Sequence, residues 1–309
     1  MRRIELPYAK SLANRVMLLR ALRGEALPLA DSLWNDDMHA MHRVLTAPAG
    51  SDGVRRADAG PAGTAYRFGM SYWAAQPGAE VVLCCDARMR ERPITPLVEA
   101  LRRLGASLDA VPEGWRIRGV AWPSGEVEVD ARESSQFASA LMLVASVAAP
   151  ELRVVTPLGV SSPPYLAMSY QLAAHISLGW PPERDWSAGF VFCAAVGLSR
   201  RSVLLSGLTL ESVQGDAASA QWGGELGFAL SATPEGIVAE PAVTLAGPWS
   251  VDFGAQPDLA MPAIIAAALL GRSGTASGLH TLNAKESPRL DATADWLRLL
   301  GCSVTQGPD

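Results

Sequence analysis

The sequence predicts an α/β (α+β) protein of two domains, built from repeated units in which helices pack on sheets. Three observations carry that expectation. A helix ending in Leu-Gly, then a short strand, a polar turn and a second strand, recurs along the chain. Apolar or amphipathic stretches of helical length alternate with short strand-like runs. The 309 residues, 49% hydrophobic and 18% charged with a net charge of −5, suffice for about two ordinary domains.

In chain order, the spacing predicts a helix over 11–23, with Val16, Leu18, Leu19 and Leu22 apolar and Gly24 beyond its end. A helix over 64–73 follows Ala62-Gly63, and a strand covers 79–85. The first copy of the repeat occupies 97–119: a helix ending at Leu104-Gly105, a strand at 106–108, the turn Pro112-Glu113-Gly114 and a strand at 115–117. A strand at 127–129, a helix over 134–147 and a strand at 152–155 come next. After a strand at 202–205, the second copy runs from Leu226-Gly227 through Pro234-Glu235-Gly236 to Val238. A helix over 259–270 follows Pro257-Asp258. The third copy starts at 296–301, enters a strand at 302–304 and reaches Gly307-Pro308-Asp309. Glycine in a left-handed helix cap explains each Leu-Gly junction. The third copy has one strand where the others have two, which predicts either a chain shorter than its fold or a final strand lying on a sheet edge. The stretch Gly179-Trp180-Pro181-Pro182-Glu183-Arg184 reads as an exposed connection and the main domain boundary.

Several classes are excluded by composition. The longest apolar runs, at 137–150 and 259–270, fall short of the roughly 18–20 residues of a membrane span, so a soluble protein is expected. Met1-Arg2-Arg3-Ile4 leads into no apolar stretch and no small-residue cleavage site, so no secretory signal is read and the expected compartment is the cytoplasm. Cys84, Cys85, Cys193 and Cys302 lack Cys-x-x-Cys spacing and suit reduced core thiols. The mild acidity argues against nonspecific nucleic-acid binding.

Chemistry is suggested by several constellations. Helix starts at Lys10-Ser11, Gly63-Thr64 and Ser134-Ser135 offer N–H groups, hydroxyls and a cation to an anion, although each alone is an ordinary helix cap. Arg88, Arg90 and Arg92 alternate in a segment leaving a strand, which would fan three guanidinium groups toward one place. With Lys10, Arg15 and Arg67 they would make a cationic pocket for a substrate bearing phosphate and carboxylate. Asp258 opens an apolar helix, whose dipole favours its charge, and Glu286 stands in Lys285-Glu286-Ser287-Pro288-Arg289 among cations. Both are candidates for general acid–base work; a helix cap and a surface ion pair are the plain alternatives. His39 and His42 share a helix face, yet two further metal ligands are not evident.

In register across essentially the whole chain, these segments resemble EPSP synthase, the 3-phosphoshikimate 1-carboxyvinyltransferase family. The resemblance runs through Leu6-Pro7-Tyr8-Ala9-Lys10-Ser11-Leu12-Ala13-Asn14-Arg15, Ala62-Gly63-Thr64-Ala65-Tyr66-Arg67-Phe68, Arg88-Met89-Arg90-Glu91-Arg92-Pro93-Ile94, Ser134-Ser135-Gln136-Phe137 and Pro164-Tyr165. It continues through Asp185-Trp186-Ser187-Ala188, Gln214-Gly215-Asp216, Pro257-Asp258-Leu259-Ala260 and Lys285-Glu286-Ser287-Pro288-Arg289. Asp-Trp-Ser-Ala, and the lack of asparagine before Ala62-Gly63, are most similar to the Bacteroidetes form.

The resemblance implies a two-domain enolpyruvyl transferase-like fold of repeated βαβαββ units. Residues 10–182 would form the domain on the shikimate 3-phosphate side, and 1–9 with 183–309 the second domain. It implies that Lys10, Arg88 and Arg289 hold phosphoenolpyruvate, with Gly63 and Thr64 lining its pocket and Lys285 beside the substrates. Ser11, Arg15, Ser134, Ser135, Gln136, Ser162 and Tyr165 would hold shikimate 3-phosphate. Lys10, Asp258 and Glu286 would handle protons as the 5-hydroxyl attacks the enol carbon and phosphate leaves. It implies no cofactor, no metal and no membrane or nucleic-acid partner, and a monomer. The sequence departs from the family at Pro61, where many members have asparagine, at Asn283 for a common arginine, and at Pro288 for the usual aspartate. An Asp-His-Arg motif and a later lysine have no counterpart up to Asp309, so the resemblance implies a last unit left incomplete. A catalytically silent, truncated paralogue binding a phosphorylated metabolite or a partner is the alternative. The related UDP-N-acetylglucosamine enolpyruvyl transferase fits the shikimate-type serine and arginine motifs less well.

Overall fold

The computed structural model describes residues 1–157, 159–174, 182–244, 247–285 and 287–307. The chain divides into two compact units, one of residues 10–182 and one of 1–9 with 183–309. The first strand, β1 (Arg2–Glu5), belongs to the latter.

In the 10–182 unit, α1 (Lys10–Leu22) and α2 (Asp36–Leu45) precede the strand β2 (Arg55–Asp58), α3 (Gly63–Ala74) and the strand β3 (Glu80–Cys84). Then come α4 (Ala87–Arg90), α5 (Thr95–Arg103) and the hairpin β4 (Ser107–Val111) with β5 (Gly114–Arg118). β2 runs parallel to β3, and β3 pairs antiparallel with β5, giving the sheet order β2-β3-β5-β4. α5 buries Leu97, Val98, Ala100 and Leu101, the single-stripe pattern of a helix lying on a sheet. The parallel pair β6 (Gly125–Glu128) and β7 (Leu152–Val155) is bridged by α6 (Ser135–Ala148), and α7 (Pro163–Ala174) follows. α6 has no polar stripe because Phe137, Ala138, Ala140, Leu141, Leu143 and Val144 are all buried, so it runs through the core. Each fully buried large apolar side chain contributes roughly 1.5–3 kcal/mol.

The other unit repeats this plan. α8 (Trp186–Ser199), the strand β8 (Val203–Ser206), α9 (Gly223–Leu226) and the hairpin β9 (Phe228–Thr233) with β10 (Gly236–Pro241) give the order β1-β8-β10-β9, again one parallel pair closed by an antiparallel hairpin. The strand β11 (Trp249–Asp252), α10 (Ala260–Leu269) and the strand β12 (Gly274–Ser277) make a second parallel pair, followed by α11 (Arg289–Leu299). Leu6, Trp186, Phe190, Leu205, Phe228 and Phe253 form its core. Residues 6–9 are tied to 183–185 by Ala9 N–H to Glu183 O at 2.8 Å and Asp185 N–H to Pro7 O at 3.0 Å.

The two Pro-Glu-Gly turns are structurally equivalent. Gly114 faces Cys84 and Gly236 faces Ser206, each in an antiparallel register. A Cβ would fall 2.0 Å from Leu83 O at the first glycine and 2.1 Å from Leu205 O at the second, so each repeat needs a residue without a side chain where its hairpin crosses the central strand. The Leu-Gly caps are left-handed as expected, with φ of 97° at Gly105, 82° at Gly227 and 84° at Gly301.

Two expectations are corrected. Residues 302–304 form no strand. A strand exists only with a partner for its ladder, and neither β11 nor β12 offers them one here. The three arginines at 88, 90 and 92 do not fan toward one place: α4 winds Ala87–Arg90 into a helical turn, and the side chains diverge. Among the described residues, no helix is long and apolar enough to cross a membrane.

Candidate functional site

In the 10–182 unit, hydrogen bonds and ring contacts link α1, α3, α6 and α7, with α3 and α6 joined at their first turns. Gln136 at the start of α6 donates from Nε2 to Thr64 Oγ1 of α3 at 3.2 Å and accepts at Oε1 from Arg67 Nη1 at 2.7 Å. Arg67 also donates to Pro93 O at 2.9 Å and lies over the Phe137 ring. Arg15 of α1 donates from Nε to Ser169 Oγ of α7 at 2.7 Å, from Nη1 to Ser11 O at 2.7 Å, and from Nη2 to Tyr165 O at 3.0 Å. Its guanidinium sits over Phe68 of α3. Ser134 caps α6 by accepting from Gln136 N–H, and Ser135 N–H donates to Ser161 Oγ at 3.1 Å. The neighbouring Ser162 has φ of 48°, a left-handed backbone uncommon for serine, and its carbonyl accepts from Tyr165 N–H at the start of α7. Helix N-termini carry unpaired N–H groups and the positive end of the helix dipole, so their convergence favours anions.

Gly63 marks the most cationic point of this arrangement. A Cβ there would lie 2.9 Å from both Arg67 Nη1 and Arg92 Nη1, so two guanidinium tips meet at the positive end of α3. Like charges gathered this way are costly unless an anion joins them. Of the cations expected to share a pocket, Arg67 and Arg92 are the two brought together here.

The remaining sequence candidates of this unit lie differently. Arg88 is exposed and pairs with Glu91 at 2.8 Å, while Arg90 turns back to Cys85 O at 2.8 Å. Lys10 Nζ is 3.3 Å from Asp37 Oδ2. Arg15 is 2% exposed, and burial lowers its pKa to about 10, so it stays charged at neutral pH while serving as an internal strut. His39 and His42 flank Trp34 with ring centroids at 5.3 and 5.7 Å. No group of three or more His, Cys, Asp or Glu side chains is placed to hold a metal among the described residues.

In the other unit the centre is Asp258, in the 3₁₀ turn that leads into α10. Its Oδ1 is 2.9 Å from Arg289 Nη1 and 3.5 Å from Lys285 Nζ. Pro288 and Asn283 act together locally. Pro288 stands at the N-cap of α11 with no side-chain acceptor, and Asn283 supplies one instead, its Oδ1 accepting from the N–H groups of Leu290 at 3.0 Å and Asp291 at 3.3 Å. Asn283 thus aims the helix whose first residue, Arg289, grips Asp258. Glu286 lies outside the described residues.

The motifs Asp185-Trp186-Ser187-Ala188 and Gln214-Gly215-Asp216 meet directly in this unit. Asp185 caps α8 through Ala188 N–H at 2.7 Å, and Gln214 Oε1 accepts from Trp186 N–H at 3.0 Å. Ser187 Oγ donates to Asp216 Oδ2 at 2.5 Å.

Comparison with known proteins agrees with this picture. The family model for EPSP synthase (3-phosphoshikimate 1-carboxyvinyltransferase) matches residues 48–178 and 180–309. A 3-phosphoshikimate 1-carboxyvinyltransferase of Bacteroides fragilis is 32% identical over 96% of this chain and 77% of its own length. One from Haemophilus ducreyi is 29% identical over 99% of this chain and 81% of its own. The solved EPSP synthase of Acinetobacter baumannii superposes with a TM-score of 0.52 at 13% identity, covering 96% of this chain and 95% of that one, a likeness of fold.

Proposed function

Because this chain belongs to the EPSP synthase family, we propose that it transfers the enolpyruvyl group of phosphoenolpyruvate to the 5-hydroxyl of shikimate 3-phosphate, in the shikimate pathway that leads to aromatic amino acids. The observation that carries the reading is the Asp258 carboxylate held between Arg289 and Lys285 in a chain that the family model matches over residues 48–178 and 180–309.

The reaction sets three tasks. The 5-hydroxyl must lose its proton as its oxygen bonds to C2 of phosphoenolpyruvate, and C3 must gain one. The tetrahedral intermediate then gives up phosphate and a proton from the new methyl group, restoring the enol ether. Proton handling falls to Asp258 and Glu286, with Lys10. A positioned carboxylate contributes about 100- to 10,000-fold in such steps. Arg289 and Lys285 hold Asp258 in place. Lys10, Arg88 and Arg289 would meet the charges of phosphoenolpyruvate, and Gly63 and Thr64 would line its pocket. Arg67 and Arg92 join this set, because their tips meet at the start of α3.

Shikimate 3-phosphate falls to Ser11, Arg15, Ser134, Ser135, Gln136, Ser162 and Tyr165. The bonds from Gln136 to Thr64 and Arg67 fix which edge of its amide faces outward. We read the protein as a monomer of the cytoplasm, where Cys84, Cys85, Cys193 and Cys302 stay reduced, as their unpaired state suits. Sedimentation velocity showing a dimer would sink the monomer reading.

Calorimetry tests the substrate assignment. Shikimate 3-phosphate should bind alone, and phosphoenolpyruvate should bind more tightly once it is present. Phosphoenolpyruvate binding alone, unaided by shikimate 3-phosphate, would show that the ligands are assigned to the wrong residues.

A further inference from the structure

Asp216 is 4% exposed, and the mechanism above does not use it. Its position is closely specified. Ser187 Oγ donates to its Oδ2 at 2.5 Å, and Ser219 Oγ donates to its backbone carbonyl at 2.7 Å. One residue earlier, the Gly215 carbonyl accepts from Gln256 Nε2 at 3.2 Å. That bond ties the segment carrying Asp216 to the loop carrying Asp258, two residues beyond Gln256. The charged groups facing Asp216 come from three places: Asp258 from the 3₁₀ turn before α10, Asp185 from the cap of α8, and Lys285 from the segment before α11. A buried carboxyl thus lies within electrostatic reach of both Asp258 and the lysine that pairs with it.

From this geometry we infer that Asp216 is a positioning residue for Asp258, acting through its charge and through the segment that Gln256 ties to the Asp258 turn. When Asp216 is ionised it repels Asp258, which raises the proton affinity of Asp258. When Asp216 is protonated, that repulsion is gone. Burial pushes the Asp216 carboxyl up to about 7, with Asp258 and Asp185 adding to the rise and Ser187 and Lys285 opposing it. The change of state therefore falls near neutral pH, where a biosynthetic enzyme works. The inference rests on the reading that Asp258 moves a proton in enolpyruvyl transfer.

Two readouts on wild type, Asp216→Asn and Ser187→Ala decide it. The first is the carbon-13 chemical shift of the Asp258 carboxyl, titrated on substrate-free protein from about pH 4 to about pH 9. The second is the pH dependence of kcat with both substrates saturating. In wild type, Asp258 should report a second inflection near pH 7, and kcat should rise several-fold through the same pH. Asp216→Asn should erase both, with the KM for shikimate 3-phosphate unchanged. Ser187→Ala, which removes a bond to the ionised form, should move both inflections to higher pH. An Asp258 shift that ignores Asp216→Asn and Ser187→Ala overturns the inference, as does a kcat profile that superposes on wild type. The carboxyl titration needs no turnover. A chain that binds neither substrate, or an Asp258→Asn variant with full kcat, would therefore end the catalytic reading while the coupling of the two carboxyls is still decided.

Discussion

Arg289 Nη1 reaches Asp258 Oδ1 at 2.9 Å, across 31 residues of sequence, and Lys285 Nζ approaches the same oxygen at 3.5 Å. One carboxylate oxygen thus carries two cations while the side chain stays partly open, 28% exposed. A purely structural bridge at such exposure contributes about 1 kcal/mol or less. The arrangement therefore matters more for reactivity than for stability. Asp258→Asn should leave the melting temperature within a few degrees of wild type while lowering kcat by about 100-fold or more, with the Kd of shikimate 3-phosphate unchanged. Near-normal turnover would reduce Asp258 to a helix-cap and ion-pair residue.

Gly63→Ala probes the paired guanidinium groups. The new methyl would press on the flexible ends of Arg67 and Arg92 rather than on backbone, so the fold should tolerate it. The guanidinium tips should be displaced. Calorimetry is expected to give a roughly tenfold weaker Kd for phosphoenolpyruvate, about 1.4 kcal/mol, with shikimate 3-phosphate affected less. Equal loss for both ligands would mean that Arg67 and Arg92 do not form a separate anion subsite.

Arg15 has a different role to test. Arg15→Met keeps the stem length and removes the guanidinium's bonds to Ser11 O, Tyr165 O and Ser169 Oγ. Charge-assisted hydrogen bonds contribute roughly 1.5–3 kcal/mol each, so a loss of about 3 kcal/mol is expected in urea unfolding, read as a lower midpoint at constant slope. An unchanged urea midpoint would show that these bonds contribute nothing to stability and leave Arg15 its ligand role alone.

Asp216 gives stability a pH signature. Its folded pKa, about 7, lies above the ordinary 3.8, so the folded state holds the proton more tightly than the unfolded chain. The stability of the protonated carboxyl is present in full below about pH 4 and is lost as pH rises through 7. At about 1.4 kcal/mol per pH unit the loss approaches roughly 4 kcal/mol. Asp216→Asn, always neutral, should therefore gain stability over wild type on going from about pH 5 to about pH 8 in thermal melts. A difference independent of pH would show that folding leaves the proton affinity of this carboxyl unchanged.

Local signals made most of the helices legible. Apolar spacing and the glycines after Leu104, Leu226 and Leu300 marked helix ends that the left-handed caps bear out. The Pro-Glu-Gly turns were visible because the hairpin strand must cross close to the central strand, which only glycine permits. The order of strands was not legible, since pairing of β3 with β5, or β8 with β10, is decided by distant partners. The same reason defeated the strand expected at 302–304, whose alternation was sound and whose partner was lacking.

Charge patterns misled in a related way. Arg88, Arg90 and Arg92 alternate as if fanned toward one place, yet α4 turns the first to Glu91 and the second to Cys85 O, leaving Arg92 to approach Gly63. Asp216 could be recognised only as part of a motif. Its burial and its link to Ser187 arise from α8 packing beside a segment far along the chain.

Phosphorus-31 NMR of the protein incubated with shikimate 3-phosphate and phosphoenolpyruvate, with mass analysis of the products, bears most directly on enolpyruvyl transfer. Inorganic phosphate should appear only when both substrates are present, equimolar with EPSP, and Asp258→Asn should slow both together. If shikimate 3-phosphate remains unchanged while the protein stays folded, or if phosphate is released from phosphoenolpyruvate without any EPSP, this chain does not catalyse the transfer.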